Sequence, residues 1–177
     1  IDRYYAELEK KGETVSKKLK VVLIGDGEAG KTSILNLINS NNNPRTKELD
    51  RTIHLALEKV KMLNSDTLEE IIVYDCGGQK NYRPGQVPFL TDSALYLLVV
   101  NAEDDNPDNY LPFLVLLLAR APGAIVQIIL SKCDKVKDPE AKAKEVREKV
   151  DEFMKDSQNT NDGENEKHTN SLRIQKD

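Results

Sequence analysis

Nearly uninterrupted runs of large apolar residues divide the chain, and each run is followed at once by a glycine or a polar residue. The three clearest runs cover residues 21–24, 94–100 and 124–130. A strand of a parallel sheet is covered by helices on both faces, so it is apolar throughout instead of at every second position. These runs therefore predict the central strands of an α/β domain.

A different pattern lies between the first two runs. Ile53, Leu55 and Leu57 stand at every second position, as in a half-buried strand. The turn-forming residues 64–66 follow, and after them comes a second apolar-rich segment at residues 68–75. This order predicts a hairpin, which adds one antiparallel strand to an otherwise parallel sheet.

Helical spacing appears at both ends of the chain. Residues 1–11 carry an apolar stripe at the spacing of one helix face, made by Ile1, Tyr4, Tyr5 and Leu8. Near the other end, Asp138 is a suitable cap residue and Pro139 suits the first helical position. The helix predicted from there to about residue 155 has its buried stripe at Ala143, Val146, Val150 and Phe153.

Residues 111–119 are apolar in every direction around a helical wheel. A helix that lies on a sheet needs only one apolar face. Either a neighbouring helix or a partner therefore covers the rest, and we expect Leu117 to point outward. Such an exposed patch predicts that the isolated chain self-associates.

The chain divides into three parts by composition. Residues 1–17 are predicted to be a helical linker and residues 18–156 the folded domain. Residues 157–177 are acidic and rich in asparagine, with almost nothing apolar before residue 171, which predicts a disordered segment. The last seven residues resemble the approach to another strand, which we expect the chain to lack.

The composition of the chain argues against several functional classes of protein. The 177 residues suffice for one domain, and a net charge of −4 without a basic block argues against nucleic acid as a partner. The longest apolar run, residues 113–119, is far shorter than the ~20 residues that span a bilayer. The two cysteines, Cys76 and Cys133, have neither disulfide nor metal spacing, so the sequence predicts reduced thiols in a cytoplasmic protein.

The first apolar run ends in the sequence G-D-G-E-A-G-K-T, and a helix start follows it. A strand, a glycine loop and a helix in this order predict a P-loop, whose backbone N–H groups surround a polyphosphate. Lys31 is expected on the outer phosphates and the Thr32 hydroxyl on Mg²⁺. The candidate phosphate-binding residues are Asp26, Gly27, Glu28, Ala29, Gly30, Lys31, Thr32 and Ser33. The alternative is a glycine-rich turn that binds nothing.

Two further segments carry candidate magnesium and water-positioning groups. Asp75 ends a predicted strand, where a carboxylate can hold a magnesium-bound water. The N–H of Gly78 can approach a terminal phosphate, and Gln79 can orient an attacking water. Thr52 alone is only a strand-capping threonine, but its place after the P-loop makes it a candidate magnesium ligand.

The third apolar run leads into S-K-C-D, residues 131–134. Asp134 can accept hydrogen bonds from both N1–H and the exocyclic amine of guanine, whereas adenine offers no such pair of donors. Leaving a buried carboxylate unpaired costs about 1–3 kcal/mol, so this side chain favours guanine over adenine. The Lys132 stem is expected along the base plane. A polar cap on a strand is the alternative interpretation.

Taken in order, the P-loop, Thr52, D-C-G-G-Q (75–79) and S-K-C-D make the chain resemble a Ras-like small GTPase domain. More narrowly it resembles the Roc domain of Roco proteins, on R-T-I (51–53), on residues 89–99 and on a helix before the P-loop. The resemblance implies an α/β P-loop NTPase fold, doubly wound, with a mostly parallel sheet. Ser131 departs from the usual Asn or Thr and is expected to loosen the base pocket, and the last strand and helix are expected to be missing. His54 also departs, with no predicted effect.

The leading hypothesis is a switch that binds GTP or GDP with Mg²⁺ and hydrolyses GTP slowly, as the regulatory domain of a larger signalling protein. The alternative is a nucleotide-binding interaction or dimerisation module with little hydrolysis. A P-loop ATPase is disfavoured by Asp134. By resemblance, a following COR-like domain and homodimerisation are expected. Ser131, Lys132 and Asp134 complete the candidate nucleotide site, with Thr32, Thr52 and Asp75 for the metal and Gln79 for catalysis.

Overall fold

The computed structural model describes residues 17–39, 55–61, 70–77, 87–159 and 172–174. Within these ranges the chain forms six strands: β1 (Lys18–Ile24), β2 (Leu55–Lys61), β3 (Glu70–Cys76), β4 (Leu95–Asn101), β5 (Ile125–Ser131) and β6 (Arg173–Ile174). The same ranges hold three α-helices: α1 (Lys31–Asn39), α2 (Leu111–Arg120) and α3 (Pro139–Asn159). The helix predicted for residues 1–11 lies outside the described residues.

The described strands form a single sheet in the order β2-β3-β1-β4-β5-β6. β2 runs antiparallel to β3, with Leu57 opposite Tyr74, and the other pairings are parallel. The predicted hairpin and the α/β class with a mostly parallel sheet are therefore confirmed. β1 lies at the centre, which explains why residues 21–24 are all buried.

Alternate residues of the central strands pack on opposite faces of the sheet. Val21 and Leu23 of β1 pack with Leu35 of α1 on one face. Val22 and Ile24 contribute to the larger core on the other face, with buried residues of α2 and α3. Continuous apolar strands are needed here because helices cover both faces, which is the doubly wound arrangement.

α2 corrects the expectation of an uncovered apolar face. Leu117 is only 1% exposed and belongs to the core, as do Phe113 and Leu114. Leu116 and Leu118 are partly buried against the same core, and Val115, at 53% exposed, is the one large apolar residue of this helix that is exposed. The helix is apolar nearly all round because most of its surface is covered within the domain.

α3 is longer than predicted, and its buried stripe is shifted. The helix continues to Asn159 instead of ending near residue 155. Val146 and Val150 are buried as predicted, but Ala143 is exposed and its neighbour Lys142 is buried. A lysine occupies this position because its amine finds acidic partners at the edge of the core.

We expected the chain to lack a last strand, but the structure contains a short one of two residues, β6. Arg173 and Ile174 pair in parallel with β5, and the Arg173 N–H donates to the Ala124 carbonyl at 3.0 Å. Leu172 is 7% exposed and joins the core. Residues 157–159 belong to α3, so part of the segment predicted to be disordered is ordered. The remainder, residues 160–171 and 175–177, lies outside the described residues.

None of the helices within residues 17–39 and 87–159 combines the length and the apolar character required to cross a lipid bilayer.

Candidate functional site

The P-loop connects β1 to α1 through residues with unusual backbone geometry. Gly25 has φ +144°, and a Cβ built on it would lie 2.3 Å from the Val99 carbonyl oxygen. Gly30 has φ +92° and Glu28 has φ 63°. These conformations cost little for glycine but strain a residue with a Cβ, so the two glycines are required by the path of the loop.

The ammonium group of Lys31 is folded back onto the loop. Nζ donates to the Gly25 carbonyl at 3.1 Å and to the Asp26 carbonyl at 2.8 Å, and the residue is only 6% exposed. Burial lowers the pKa of Lys31, while the nearby carboxylates of Asp75 and Asp26 act in the opposite direction. The loop therefore holds a shielded amine that a phosphate group could reach.

Thr32 and Asp75 come together from α1 and β3. The Thr32 hydroxyl donates to Asp75 Oδ2 at 2.7 Å, and Asp75 is fully buried. A hydroxyl and a carboxylate are the hard oxygen ligands that Mg²⁺ prefers beside phosphates and water, so these residues fit that ion. No group of three or more His, Cys, Asp or Glu side chains that could hold a metal ion occurs in the part of the chain that the structure describes.

Cys76, next to Asp75, is not a candidate for chemistry. It is fully buried, and burial raises the pKa of its thiol to about 12, with a smaller contribution from the charge of Asp75. A thiol that remains protonated is neither a nucleophile nor a metal ligand.

Ser131 connects the base-reading segment to the P-loop. Its hydroxyl lies 2.6 Å from the Ala29 carbonyl oxygen and 3.2 Å from that of Val100. A Cβ built on Gly30 would lie 3.5 Å from the Ser131 Cβ, an ordinary van der Waals distance, so glycine is favoured at this position by its positive φ and not by lack of space. Ser131 thus ties the two segments together, and its expected effect on the base pocket stays a prediction.

Lys132 and Asp134 follow at the end of β5. Lys132 has a left-handed backbone, φ 56°, and its Nζ lies 3.7 Å from Glu103 Oε2. Asp134 belongs to a short 3-10 turn, Cys133–Lys135, and is exposed. The backbone of Ser131 accepts a hydrogen bond from the Ala102 N–H at 2.9 Å, which joins this segment to the loop after β4.

The sequence-predicted residues converge on one edge of the sheet. The P-loop, Asp75 and the 131–134 segment lie at the carboxyl ends of β1, β3 and β5, respectively. Ligands bind at this edge in open α/β sheets. Gly27 is exposed in the loop and Ser33 is exposed in the first turn of α1. Thr52, Gly78 and Gln79 lie outside the described residues, and their roles stay predictions.

Sequence reasoning missed a lysine that anchors the segment after Gln79. Nζ of Lys20 donates to the Phe89 carbonyl at 2.6 Å and to the Thr91 hydroxyl at 3.2 Å, and it lies 5.0 Å from the centre of the Tyr74 ring. Burial lowers the pKa of Lys20. The sequence signal that could have indicated this role is the position of Lys20 in β1, directly before four buried apolar residues.

Comparison with protein families adds independent information. The model of the family described as "Ras of Complex, Roc, domain of DAPkinase" matches residues 20–134, well over half of the chain. A solved structure titled "Structure of methanosarcina barkeri Roco2 RocCORdC bound to GDP" superposes with a TM-score of 0.58 at 26% identity, covering 78% of this chain and 42% of that one.

Curated relatives point the same way. A Roc-COR-CHAT protease from an unknown prokaryotic organism is 37% identical over 99 residues, 51% of this chain and 9% of that protein. A protein of the same name from Runella zeae is 35% identical over 98 residues, 50% of this chain and 10% of that protein. Leucine-rich repeat serine/threonine-protein kinase 1 of Mus musculus is 25% identical over 124 residues, which cover 67% of this chain and 6% of that protein. The chain therefore spans a tenth or less of the length of these relatives.

Proposed function

Because the chain belongs to the Roc, or Ras of Complex, domain family, we propose that it is a GTP-binding molecular switch. It hydrolyses GTP slowly to GDP and phosphate with Mg²⁺ and acts as the regulatory G domain of a larger multidomain protein. The observation that carries this proposal is the 2.6 Å contact between the Ser131 hydroxyl and the Ala29 carbonyl oxygen. This contact joins the P-loop to the 131–134 segment, to which we assign recognition of the guanine base.

The phosphates are held by the P-loop. Lys31 supplies a positive charge, and the amino terminus of α1, which begins at Lys31, adds the partial positive charge of its backbone N–H groups. A phosphate gives the amine of Lys31 a partner of opposite charge in a region of low solvent exposure. Charge-assisted hydrogen bonds of this kind are roughly twice as strong as neutral ones.

The metal would be held by Thr32, Thr52 and, through a water molecule, Asp75. When bound, Mg²⁺ neutralises charge on the β- and γ-phosphates during hydrolysis. The hydrogen bond between Thr32 and Asp75 supports this assignment, because it brings two oxygen ligands together beside Lys31. The role of Thr52 rests on the sequence.

Base selection is assigned to Asp134 and Lys132. The Asp134 carboxylate accepts the two adjacent N–H donors of guanine, while the Lys132 stem lies along the base plane. Adenine lacks that pair of donors, so binding it leaves the carboxylate unsatisfied at a cost of about 1–3 kcal/mol. This difference disfavours the P-loop ATPase.

Hydrolysis is assigned to Gln79, which orients the attacking water, and to Gly78, whose N–H contacts the terminal phosphate. The protein contributes positioning and charge stabilisation instead of covalent chemistry. Without an arginine supplied by another protein, we expect a turnover on the order of 10⁻⁴ to 10⁻² s⁻¹. Release of phosphate then frees the loops around Thr52 and Gln79, and partners sense that change.

A single-turnover assay tests hydrolysis separately from binding. With the protein in excess over GTP and with Mg²⁺, Gln79→Leu should bind GTP normally but hydrolyse it more slowly than the wild type. Gln158→Leu, in the last turn of α3, is the control and should keep the wild-type rate. If Gln79→Leu is as fast as the wild type, another group such as Arg51 orients the water.

The second candidate function is a nucleotide-binding interaction or dimerisation module with little hydrolysis. The observation in its favour is that the chain covers a tenth or less of relatives named Roc-COR-CHAT protease. Wild-type protein that binds GTP but leaves it intact in the same assay supports this function and contradicts the first.

A following COR-like domain and homodimerisation are part of the proposal. The relatives whose names include COR support the first, and the resemblance to Roco proteins supports the second. Light scattering on a protein extended beyond residue 177 tests the pairing, and a strictly monomeric result contradicts it. A cytoplasmic location and a role in signal transduction remain predictions from the sequence.

A further inference from the structure

Lys142 is an unusual residue in the first turns of α3. Its side chain is only 9% exposed, although it carries a charge. Nζ lies 2.5 Å from Asp105 Oδ1 and 3.1 Å from Glu145 Oε2. Burial lowers the pKa of Lys142, but the hydrogen bonds that its amine donates to these two carboxylates outweigh that effect and the pKa is raised, so the amine stays charged.

Asp105 belongs to the loop that follows β4, and this loop is braced internally. The Asn101 side chain accepts a hydrogen bond from the Glu103 N–H at 3.1 Å. Asp104 accepts one from the Asn106 N–H at 3.0 Å and a second from the Asn109 amide at 2.5 Å. These hydrogen bonds connect residues 101, 103, 104, 106 and 109 of one short loop, which carries both Asp105 and Glu103.

The same loop contacts the base-reading segment. The Ala102 N–H donates to the Ser131 carbonyl at 2.9 Å, and Glu103 Oε2 lies 3.7 Å from Lys132 Nζ. Lys132 has a left-handed backbone and no capping hydrogen bond from its side chain to the 3-10 turn that it precedes. Within the described residues, Glu103 is the acidic side chain that pairs with its ammonium.

From these contacts we infer that Lys142 is a positioning residue for guanine-nucleotide binding, which acts through Asp105 and Glu103 on Lys132. The inference rests on the proposed function. Lys142 itself contacts loop and helix residues and is not part of the P-loop or of the 131–134 segment. Its amine fastens the loop to α3, and the loop in turn holds Lys132 in place beside the base.

The expected effect is modest, because the Glu103–Lys132 pair is partly exposed, with side-chain exposures of 48% and 35%. Such pairs are weak and are screened by salt. In the whole 177-residue chain, Lys142→Met should speed dissociation of a fluorescent GDP analogue by roughly two- to five-fold. The difference should shrink as the salt concentration is raised.

A matched control lies two residues away. Lys144 is 77% exposed in its side chain and pairs only loosely with Glu148, at 3.9 Å. Lys144→Met removes the same charge from the same helix and should leave dissociation unchanged. Asp105→Asn weakens the tether from the loop side, and it should fold even if Lys142→Met does not, because the Asp105 side chain is 91% exposed. It should speed dissociation in the same direction.

A double-mutant cycle separates positioning from a general loss of stability. In a Glu103→Gln background the restraint on Lys132 is already weakened, so adding Lys142→Met or Asp105→Asn should have little further effect. A full-sized effect in that background, or no effect of either tether variant in the wild type, overturns the inference. If the wild-type chain itself fails to bind the GDP analogue, the proposed function fails, and this inference fails with it.

Discussion

At the scale of the residue, Lys31 shows how the fold fixes a charged side chain at a chosen place. Two backbone carbonyls hold its amine and 6% of the residue is exposed. Burial of a cation is costly, and this cost shows as the lowered pKa of Lys31. A phosphate group that approaches the loop offsets that cost, so the side chain is suited to an anionic ligand.

Replacing Lys31 by alanine should therefore abolish most nucleotide binding while the fold survives. A charge-assisted hydrogen bond contributes about 1.5–3 kcal/mol, so we expect at least a tenfold increase in Kd. Titration of a fluorescent GDP analogue measures the effect, and circular dichroism confirms folding. Lys144→Ala serves as the control. An unchanged affinity in Lys31→Ala excludes the P-loop as the phosphate site.

Residue-level prediction from the sequence succeeded where a residue type is forced by backbone geometry or by a known ligand chemistry. Gly25 was identifiable because no side chain fits beside the Val99 carbonyl. The burial of Lys142 was not predictable, because the helical periodicity of apolar residues assigns Ala143 to the core and leaves Lys142 on the surface. Only the fold brings Asp105, 37 positions away, to that amine.

At the scale of the element, α2 decides whether the described domain presents an apolar surface. Leu117 packs into the core, whereas Val115 is the large apolar residue of the helix that is exposed. The two residues have similar chemistry, and the sequence alone did not distinguish them.

Two substitutions on α2 therefore have opposite expected outcomes. Leu117→Glu introduces a charge into the core and should lower the free energy of unfolding by at least about 3 kcal/mol. Val115→Glu should change it by less than about 0.5 kcal/mol, because the side chain is exposed. Urea unfolding measures both. Equal stabilities would show that α2 does not pack as described.

Element boundaries failed where tertiary contacts override local composition. β6 has only two residues, and it is recognisable as a strand because the Arg173 N–H meets the Ala124 carbonyl of the neighbouring chain segment. Residues 157–159 are polar, yet they continue α3. Local composition carries no information about such contacts, whereas the continuously apolar strands β1, β4 and β5 were predictable from their own residues.

At the scale of the whole molecule, the order of the strands gathers separate segments into one site. β1, β3 and β5 end at the same edge, so segments that are distant in sequence lie together there. The Ser131–Ala29 contact spans 102 positions of the chain. Both this site and the tether of Lys142 to the loop after β4 depend on that topology.

We propose that this edge of the sheet selects guanine nucleotides. Equilibrium competition against a fluorescent GDP analogue, with GDP, ADP and xanthosine diphosphate as competitors, measures that selection. Wild-type protein should bind GDP much more tightly than ADP. Asp134→Asn should bind GDP more weakly and xanthosine diphosphate more tightly, because xanthine presents an acceptor where guanine has a donor. Equal competition by ADP and GDP, or an Asp134→Asn variant that still prefers GDP, contradicts the account.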